Sequence, residues 1–572
     1  MNSAEIIRLL LERRGVAAAE AERFLSPSLA DLASPEDLPG VAEAADVVLA
    51  AVVARRKIAV FGDYDCDGVC ATAILIKAIS ALAPDLAVPF LPERLTEGYG
   101  MSDASVARLL AEHPDVALVV TVDNGINSLG QIAALRARGV RVVVTDHHLA
   151  GETLPAADAL VNPKVAAPDH LQNLCGAGVA FLLANRLVNE ARARGLYDGA
   201  NVGGPLLILA GLATVTDVMP LLGQNRILVS EALRRFRALA PLGLLELHAR
   251  AARAGAAALT SKDFGFMLGP RINAAGRLAS GMDALDLILE TNRERVREYA
   301  RRIDLNNTER KAIEQRMTDQ ALAQLVPGAS AQVIDLPDGH PGVAGIVAAR
   351  VMERLAQDES VPPVPVCVYV GGHGSARAPD GLNIRDAFVA CDEVLSRYGG
   401  HAAAGGFSVK DGRVDDFRRM LCDYCSRQLA AGNVPRRPQG SEPELDLRPG
   451  DVTLTLAEDL RRLEPFGEGN PEPVFGLKGV RLFDVKPLGA EGRHLAVTVA
   501  ASGAPRLRAV WWNRGDLVES LRTASMAAYD VAFTLAVSDY GERHVELRLT
   551  QLKAQRACAE RPEAGRMEGD CS

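Results

Sequence analysis

The stretch Lys57-Ile-Ala-Val-Phe-Gly-Asp-Tyr-Asp-Cys-Asp-Gly68 joins a short apolar run to three acidic residues. An apolar run of this length that ends at a glycine predicts a buried parallel β-strand, with Asp63, Asp65 and Asp67 at its carboxyl end. Three carboxylates this close repel one another and cannot be desolvated without a partner. A divalent cation would resolve that conflict, and oxygen-rich clusters select hard ions such as Mg2+ or Mn2+.

Three other apolar segments end in acidic or imidazole side chains: 116–122 precedes Asp123, 140–145 precedes Asp146-His147-His148, and 206–216 precedes Asp217. In open parallel sheets, ligands bind beyond the carboxyl ends of the strands. The pattern therefore predicts a two-metal hydrolytic centre, with ions about 3.5–4 Å apart and one bridging carboxylate.

Each piece has a simpler interpretation when it is taken alone. An Asp-x-Asp after a strand is most often a turn or a helix N-cap, a His-His pair is more often structural, and Asp217 could cap a helix. The glycines at 62 and 68 have P-loop spacing, but no Lys-Ser/Thr follows and the loop is acidic. Only the joint pattern favours the metal centre.

Composition limits the class of protein. A chain of 572 residues predicts roughly three to four domains. The net charge of −9 argues against non-specific binding of polyanions over the whole surface, but local basic clusters remain available. The sequence contains neither a signal-peptide pattern nor an uninterrupted apolar stretch long enough to span a bilayer, so we expect no membrane association and a cytoplasmic location. Cys422 and Cys425 have redox-like or zinc-like spacing, but we expect buried reduced thiols there.

The predicted fold class is α/β, with two α/β lobes, a long connecting helix and a terminal β-barrel. The predicted parts are a helical segment (1–40), a parallel-sheet domain (41–285), the connecting helix (286–328), a smaller α/β lobe (329–433), a Pro-rich linker (434–444), a five-stranded barrel like the OB-fold (445–555) and a disordered tail (556–572).

Basic and glycine-rich segments suit a phosphodiester substrate. Ser375 and Arg377 follow glycines in a predicted loop, and His401 lies in a second Gly-rich segment. A single Gly-Gly-His is otherwise most often a tight turn. The other candidates are Arg94 and, on a further predicted loop, Arg271, Asn273 and Arg277.

The terminal barrel holds the only two tryptophans, Trp511 and Trp512, among cations such as Arg508. Aromatic and cationic side chains together suit single-strand binding by base stacking. In a strand, one of two adjacent tryptophans must face the core, so at most one is expected to stack on a base.

The ordered acidic and histidine motifs resemble the DHH phosphoesterase superfamily, and Gly399-Gly-His-Ala-Ala-Ala-Gly405 resembles its DHHA1 domain. With Glu464-Pro-Phe-Gly-Glu-Gly-Asn-Pro471, the resemblance covers nearly the full chain and is closest to the bacterial single-strand-specific exonucleases of the superfamily. It implies 5′-to-3′ degradation of single-stranded DNA to mononucleotides in recombination and repair, with two Mn2+ or Mg2+ ions. We also expect a monomer, with single-strand-binding protein and a repair helicase as further partners.

The resemblance also implies roles for individual residues. One metal would be held by Asp67, Asp123, His147 and Asp217, and the other by Asp65 and the shared Asp123. Asp63 and Asp146 would support them, and His148 would lie near the scissile phosphate. Ser375 and Arg377 would hold a terminal phosphate, with Arg94, Arg271, Asn273, Arg277 and His401 along the substrate path.

One position departs from the superfamily pattern. Phe61 stands where many members have a histidine, so the second metal loses a ligand. Two alternative functions stay open: hydrolysis of small phosphoesters or pyrophosphate by the same centre, and a non-catalytic DNA-binding scaffold.

Overall fold

The computed structural model describes all residues except 95, 99, 252–258, 359–360, 433–441, 502–504, 524–526, 539–541 and 556–572. The predicted disordered tail and most of the predicted linker lie outside the described residues. The chain divides into two compact units. The larger unit comprises Pro27–Pro438 and Pro465–Asn470, and the barrel unit comprises Met1–Ser26, Gln439–Glu464 and Pro471–Ser572. The predicted N-terminal segment, 1–40, is thus divided between the units.

The α-helices of the described chain are α1 (Ser3–Arg13), α2 (Ala21–Leu25), α3 (Val41–Val53), α4 (Cys66–Leu82), α5 (Asp103–Glu112), α6 (Leu129–Ala137), α7 (Pro163–Ala166), α8 (Gly176–Ala193), α9 (Gly203–Thr216), α10 (Gly223–Leu239), α11 (Leu242–Ala251), α12 (Ser261–Asp263), α13 (Gly269–Leu278), α14 (Gly281–Leu289), α15 (Arg293–Leu322), α16 (Ala344–Ala356), α17 (Ile384–Val389), α18 (Val414–Ala430), α19 (Leu454–Asp459) and α20 (Val518–Thr523). A π-helical turn, Phe264–Leu268, precedes α13.

The strands are β1 (Lys57–Phe61), β2 (Ala87–Phe90), β3 (Val116–Thr121), β4 (Arg141–Thr145), β5 (Ala159–Val161), β6 (Gln332–Asp335), β7 (Val366–Val370), β8 (His373–Arg377), β9 (Leu395–Gly400), β10 (Ala404–Val409), β11 (Leu445–Asp446), β12 (Phe475–Leu488), β13 (His494–Ala500), β14 (Leu507–Trp511), β15 (Tyr529–Ser538) and β16 (His544–Ala554).

The first sheet of the larger unit is parallel throughout, with strand order β2-β1-β3-β4-β5. Its central strands are mostly apolar because each face of the sheet packs against a separate hydrophobic cluster. The predicted parallel-sheet lobe is confirmed. Phe61 ends β1, is fully buried and packs on Phe90 with ring centroids 5.1 Å apart, so its side chain belongs to the core.

The second sheet, in order β6-β7-β8-β10-β9, forms the smaller α/β lobe. Here the prediction of a Gly-rich loop at Ser375 and Arg377 is wrong, because both residues lie in β8. The backbone of β8 pairs with β7 and β10, so its N–H groups serve the sheet. The predicted connecting helix is present as α15, which has 30 residues.

A second loop prediction is also wrong. Arg271, Asn273 and Arg277 lie on α13, which has a proline in its first turn. Proline at that position fits a helix because the first N–H groups of a helix have no intrahelical partner. The glycines that suggested a loop allow close packing instead: a Cβ on Gly276 would lie 2.4 Å from the carbonyl oxygen of Tyr64.

The barrel unit contains the five strands that the alternating pattern predicts. β12 pairs with both β13 and β15, so the pairings run in a ring through β12, β13, β14, β16 and β15. The OB-like prediction is confirmed. Among the described residues, none of the helices is long and apolar enough to cross a membrane.

Candidate metal centre

The imidazole of His147 faces three carboxylates from separate elements. Its Nε2 atom lies 3.1 Å from Asp123 Oδ1, 3.6 Å from Asp217 Oδ2 and 3.7 Å from Asp67 Oδ2. Asp67 lies in the first turn of α4, Asp123 and His147 follow β3 and β4, and Asp217 follows α9. The structure therefore brings together all four residues that were predicted to hold the first metal.

Burial and mutual repulsion control the charges of this cluster. The pKa of Asp123 is raised well above its ordinary value, first by burial and then by the neighbouring carboxylates. Burial, with the charges of Asp67 and Asp65, raises the pKa of Asp217 to about 9. Burial lowers the pKa of His147 to about 4, so its ring is neutral at pH 7 and can offer a lone pair.

These donors fit a hard divalent cation. Among the described residues, ligand atoms of Asp67, His147 and Asp217 lie within 4.8 Å of one another, and so do those of Asp123, His147 and His148. Asp217 Oδ2 is buried without a hydrogen-bond partner. A cation would satisfy that oxygen and relieve the carboxylate repulsion, and oxygens with one imidazole suit Mn2+ or Mg2+.

The carboxylate of Asp67 is held by the N-terminus of α8, a contact that was not predicted from the sequence. Its two oxygens accept hydrogen bonds from the backbone N–H groups of Gly176 and Ala177, each at 2.7 Å. The positive end of an 18-residue helix therefore stabilises this anion. The only local hint was the run of small residues Gly176-Ala-Gly178 at the start of an apolar helix.

Gly176 is required by a close approach between α8 and the Asp123 loop. A Cβ at residue 176 would lie 2.6 Å from the Asp123 Cβ atom and 2.9 Å from its Cα atom.

Gly176→Ala must therefore displace a ligand, and we expect kcat/KM on single strands to fall about 100-fold, since a displacement near 1 Å at a reacting centre has that effect. Gly178→Ala is the matched control, because its Cβ meets only the Leu174 side chain. Steady-state kinetics should show near wild-type activity for the control; equal activity of both variants would contradict this assignment.

His148 is oriented by Asp146. Its Nδ1 atom lies 2.8 Å from Asp146 Oδ1, and Asp146 also accepts hydrogen bonds from the N–H groups of Ile126 and His147. Burial alone lowers the pKa of His148, but the hydrogen bond and charge of Asp146 outweigh it and raise the pKa overall. His148 Nδ1 also lies 3.9 Å from Asp123 Oδ1, so the His148 imidazole borders the cluster.

Asp63 and Asp65 lie between β1 and α4, in the segment called the acidic loop below. Asp65 caps α4 by accepting a hydrogen bond from the Gly68 N–H at 3.0 Å, and its charge raises the pKa values of Asp67, Asp123 and Asp217. Burial and Asp65 together raise the pKa of Asp63 to about 7. Asp65 belongs to neither of the two close groups of ligand atoms found among the described residues. Its role as a ligand of the second metal stays a prediction.

The predicted substrate residues of α13 have different surroundings. Asn273 Oδ1 accepts a hydrogen bond from the Cys66 N–H at 2.7 Å, so this side chain holds the acidic loop. Arg277 Nη1 lies 3.1 Å from the Gly342 carbonyl oxygen, which also lies 3.5 Å from Arg94 Nη1. Arg271 is largely buried and forms an ion pair with Asp304 of α15 at 2.9 Å.

The second lobe carries three of the predicted substrate residues, in two places. The His401 ring lies parallel to His148, with centroids 6.3 Å apart. Ser375 and Arg377 lie beside the first turn of α16: a Cβ on Gly345 would be 3.1 Å from Arg377 Nη2 and 3.5 Å from the Ser375 Cβ atom. A helix N-terminus beside a guanidinium and a hydroxyl suits a phosphate group.

The tryptophans of the barrel unit are exposed to different degrees. Trp512 is 49% exposed and follows the end of β14, while Trp511 is half-buried below the Arg514 guanidinium, 4.7 Å from the ring centroid. Trp511 ends β14 and is the more buried of the two, whereas Trp512 lies beyond the strand, so the expectation that at most one of them stacks on a base stays a prediction. Arg508 pairs with Glu546 at 3.4 Å.

Cys422 and Cys425 are both free thiols, as expected; Cys425 is buried as predicted, but Cys422 is only half-buried. Neither belongs to a group of described residues able to hold a metal.

Comparison with known proteins links these features to named families. Residues 57–201 match the N-terminal domain of the DHH family, and residues 444–551 match the RecJ OB domain. The single-stranded-DNA-specific exonuclease RecJ of Dickeya dadantii is 36% identical, over 96% of this chain and 96% of its own length. The protein of the same name from Thermus thermophilus is 36% identical over 86% of this chain and 68% of its own length.

Two crystal structures of Thermus thermophilus RecJ resemble the whole fold. The complex with Mn2+ has a TM-score of 0.80 and 32% identity, covering 96% of this chain and 76% of that one. The complex with Mg2+ has a TM-score of 0.74 and 31% identity, covering 96% and 75%.

Proposed function

This chain belongs to the RecJ family of single-stranded-DNA-specific exonucleases, and we propose that it degrades single-stranded DNA from the 5′ end to mononucleotides in recombination and repair. The observation that carries the proposal is the convergence of Asp67, Asp123, His147 and Asp217 at one edge of the parallel sheet. The enzyme is a metal-dependent phosphodiesterase whose cofactors are Mn2+ or Mg2+.

Some residues of the chain would hold the metal ions, and others would contact the substrate. Asp67, Asp123, His147 and Asp217 would hold one ion, and Asp65 with Asp123 the other. When bound, the ions supply positive charge to the scissile phosphate and to the leaving 3′-oxygen. His148, oriented by Asp146 and bordering Asp123, can donate a hydrogen bond to a phosphate oxygen. His401, which lies parallel to it, can fix the neighbouring part of the strand.

The 5′ polarity requires a pocket that accepts only a strand end. Ser375, Arg377 and the N-terminus of α16 supply the donors for a terminal phosphate. Arg94 and Arg277 converge on Gly342, two residues before α16, so their cationic groups lie between that pocket and the acidic loop. A terminal pocket at a fixed distance from the ions would set the length of the released product.

Arg377→Met should remove the preference for a 5′-phosphate. We expect KM for a 5′-phosphorylated single strand to rise at least about tenfold, since a hydrogen bond to a charged group contributes about 1.5–3 kcal/mol. KM for the 5′-hydroxyl strand should change little. Arg354→Met, at the other end of α16, is the matched control. Unchanged discrimination between the two strands in Arg377→Met would rule out this pocket.

The decisive test of the function is Mn2+-dependent digestion of single strands labelled at the 5′ or 3′ end, beside the matching duplex. We expect immediate release of labelled mononucleotide from the 5′-labelled strand, gradual shortening of the 3′-labelled strand, and little cleavage of the duplex. Preferential turnover of pyrophosphate or dinucleotides would favour the small-substrate alternative. DNA binding without hydrolysis would favour the scaffold.

Single-strand-binding protein and a repair helicase are proposed partners, with the chain itself a monomer in the cytoplasm. The proposal follows from the single-stranded substrate, which those proteins produce and cover. Size-exclusion chromatography with light scattering, alone and with single-strand-binding protein, tests both the monomeric state and the interaction.

A further inference from the structure

The turn after the ligand Asp217 is strained. Val218 has φ +55, in the left-handed region that β-branched residues strongly disfavour. Its side chain is 64% exposed, so burial of that side chain does little to offset the strain. Strained backbone persists only where the surroundings enforce it, and it concentrates at functional sites.

Three sets of contacts hold this turn. The N–H groups of Val218 and Met219 donate to carbonyl oxygens of the last turn of α9, at 3.3 and 3.1 Å. The Asn225 side chain donates to the Pro220 carbonyl oxygen at 3.1 Å. The N–H group of Leu221 donates to the carbonyl oxygen of Glu468 at 2.8 Å, which lies almost 250 residues away in the chain.

Glu468 belongs to a short segment, Pro465–Asn470, here called the brace. The brace lies within the sequence range of the OB domain match, yet it packs as part of the larger unit. It closes on itself through backbone hydrogen bonds between Gly467 and Asn470, and through the Asn470 side chain, which is fully buried and donates to the Pro465 carbonyl oxygen at 2.9 Å. The Ser261 hydroxyl donates to the Phe466 carbonyl oxygen and ties the brace to α12.

The brace fits the turn too closely to tolerate side chains at its glycines. A Cβ on Gly467 would lie 2.7 Å from Leu221 Cδ1. A Cβ on Gly469, where φ is +69, would lie 3.2 Å from the Pro220 Cβ atom. The glycines in this segment are therefore explained by its contact with residues 220–222.

We propose that the brace is a positioning element for the metal ligand Asp217. By fixing residues 218–222 it maintains the strained conformation at Val218 and keeps the Asp217 carboxylate facing His147 and Asp67. The proposal rests on the metal centre of the proposed function. A brace that only stabilised the fold would affect unfolding but not the affinity for the metal.

Asn470→Ala in the full chain tests this idea by removing the side-chain hydrogen bond from Asn470 to the Pro465 carbonyl oxygen, one of those that close the brace. Isothermal titration calorimetry with Mn2+ should show a loss of affinity of roughly tenfold, as expected when a group that orients a ligand is removed. Asn292→Ala, which removes an N-cap hydrogen bond at the start of α15, is the matched control and should keep wild-type affinity. Thermal unfolding in EDTA separates a loss of stability from a loss of metal binding.

Relief of the strain at Val218 provides a second test, whose result would not change if the brace only stabilised the fold. Glycine adopts φ +55 without steric cost, so Val218→Gly should make the turn less dependent on the brace. In a protein that already carries Val218→Gly, adding Asn470→Ala should lower the Mn2+ affinity less than about threefold. Such non-additivity is expected when two residues are coupled. Should Asn470→Ala fail to fold, Ser261→Ala removes a single contact to the brace and is tested in the same two backgrounds.

Wild-type Mn2+ affinity in Asn470→Ala and Ser261→Ala would overturn the proposal, as would an equal loss in both backgrounds. A wild-type protein that binds no Mn2+ would refute the metal centre itself, which distinguishes failure of the proposed function from failure of the brace.

Discussion

Replacing Asp123 with asparagine is expected to lower kcat on single-stranded DNA about a thousandfold, which is the scale of losing a group that stabilises transition-state charge. Asp123 lies 3.1 Å from His147 Nε2 and is proposed to contact both ions. Its φ of +60 is tolerated by asparagine, so the substitution removes the charge while keeping the backbone. Steady-state digestion of a 5′-labelled strand in Mn2+ measures the effect.

The control for Asp123→Asn is a second aspartate beside β3. Asp115 comes directly before the first residue of β3 and pairs with Lys57 at the surface, so Asp115→Asn should keep full activity. In EDTA, Asp123→Asn should also unfold at a higher temperature than the wild type, because it removes a carboxylate whose pKa is raised by burial and then by its neighbours. Wild-type turnover by Asp123→Asn would exclude Asp123 from the metal centre.

Removing the metal with EDTA is expected to abolish hydrolysis and to make stability strongly dependent on pH. Without a cation, burial and neighbouring carboxylates raise the pKa of Asp217 to about 9 and that of Asp123 well above its ordinary value. The folded state then binds more protons than the unfolded state between about pH 4 and pH 9, so stability should fall as pH rises through that window. Thermal unfolding in EDTA across that range measures the slope.

Mn2+ should reverse this dependence. Because the ligands must lose their protons to bind, Mn2+ binding should release protons and its apparent affinity should rise with pH. At a free concentration 100 times the dissociation constant, the ion should stabilise the protein by about 2.7 kcal/mol. Ca2+ at the same concentration controls for ionic effects in the activity assay. Full hydrolysis in EDTA, or stability in EDTA that does not change with pH, would contradict the assigned centre.

The two wrong loop predictions, at α13 and β8, have a local cause. The glycines near Arg271 and Ser375 suggested loops because glycine is common in turns. In the structure, Gly276 permits close contact of α13 with Tyr64, and Gly374 lies within a paired strand against Phe407. A glycine that serves close packing and a glycine that serves a turn look alike in a single sequence.

The sequence by itself determined the parallel sheet, the barrel and the acidic and histidine residues at the carboxyl ends of the strands. Apolar period and strand-end position are local properties, and parallel strands bring their carboxyl ends to one edge, so Asp123 and His147 had to meet there. Only the tertiary structure decided that the α8 amides bind Asp67, that Asn273 holds the acidic loop, and that residues 465–470 contact the turn after Asp217. Hydrophobic periodicity reports that a residue is buried but not what it is buried against, and contacts between distant segments leave no local pattern to read.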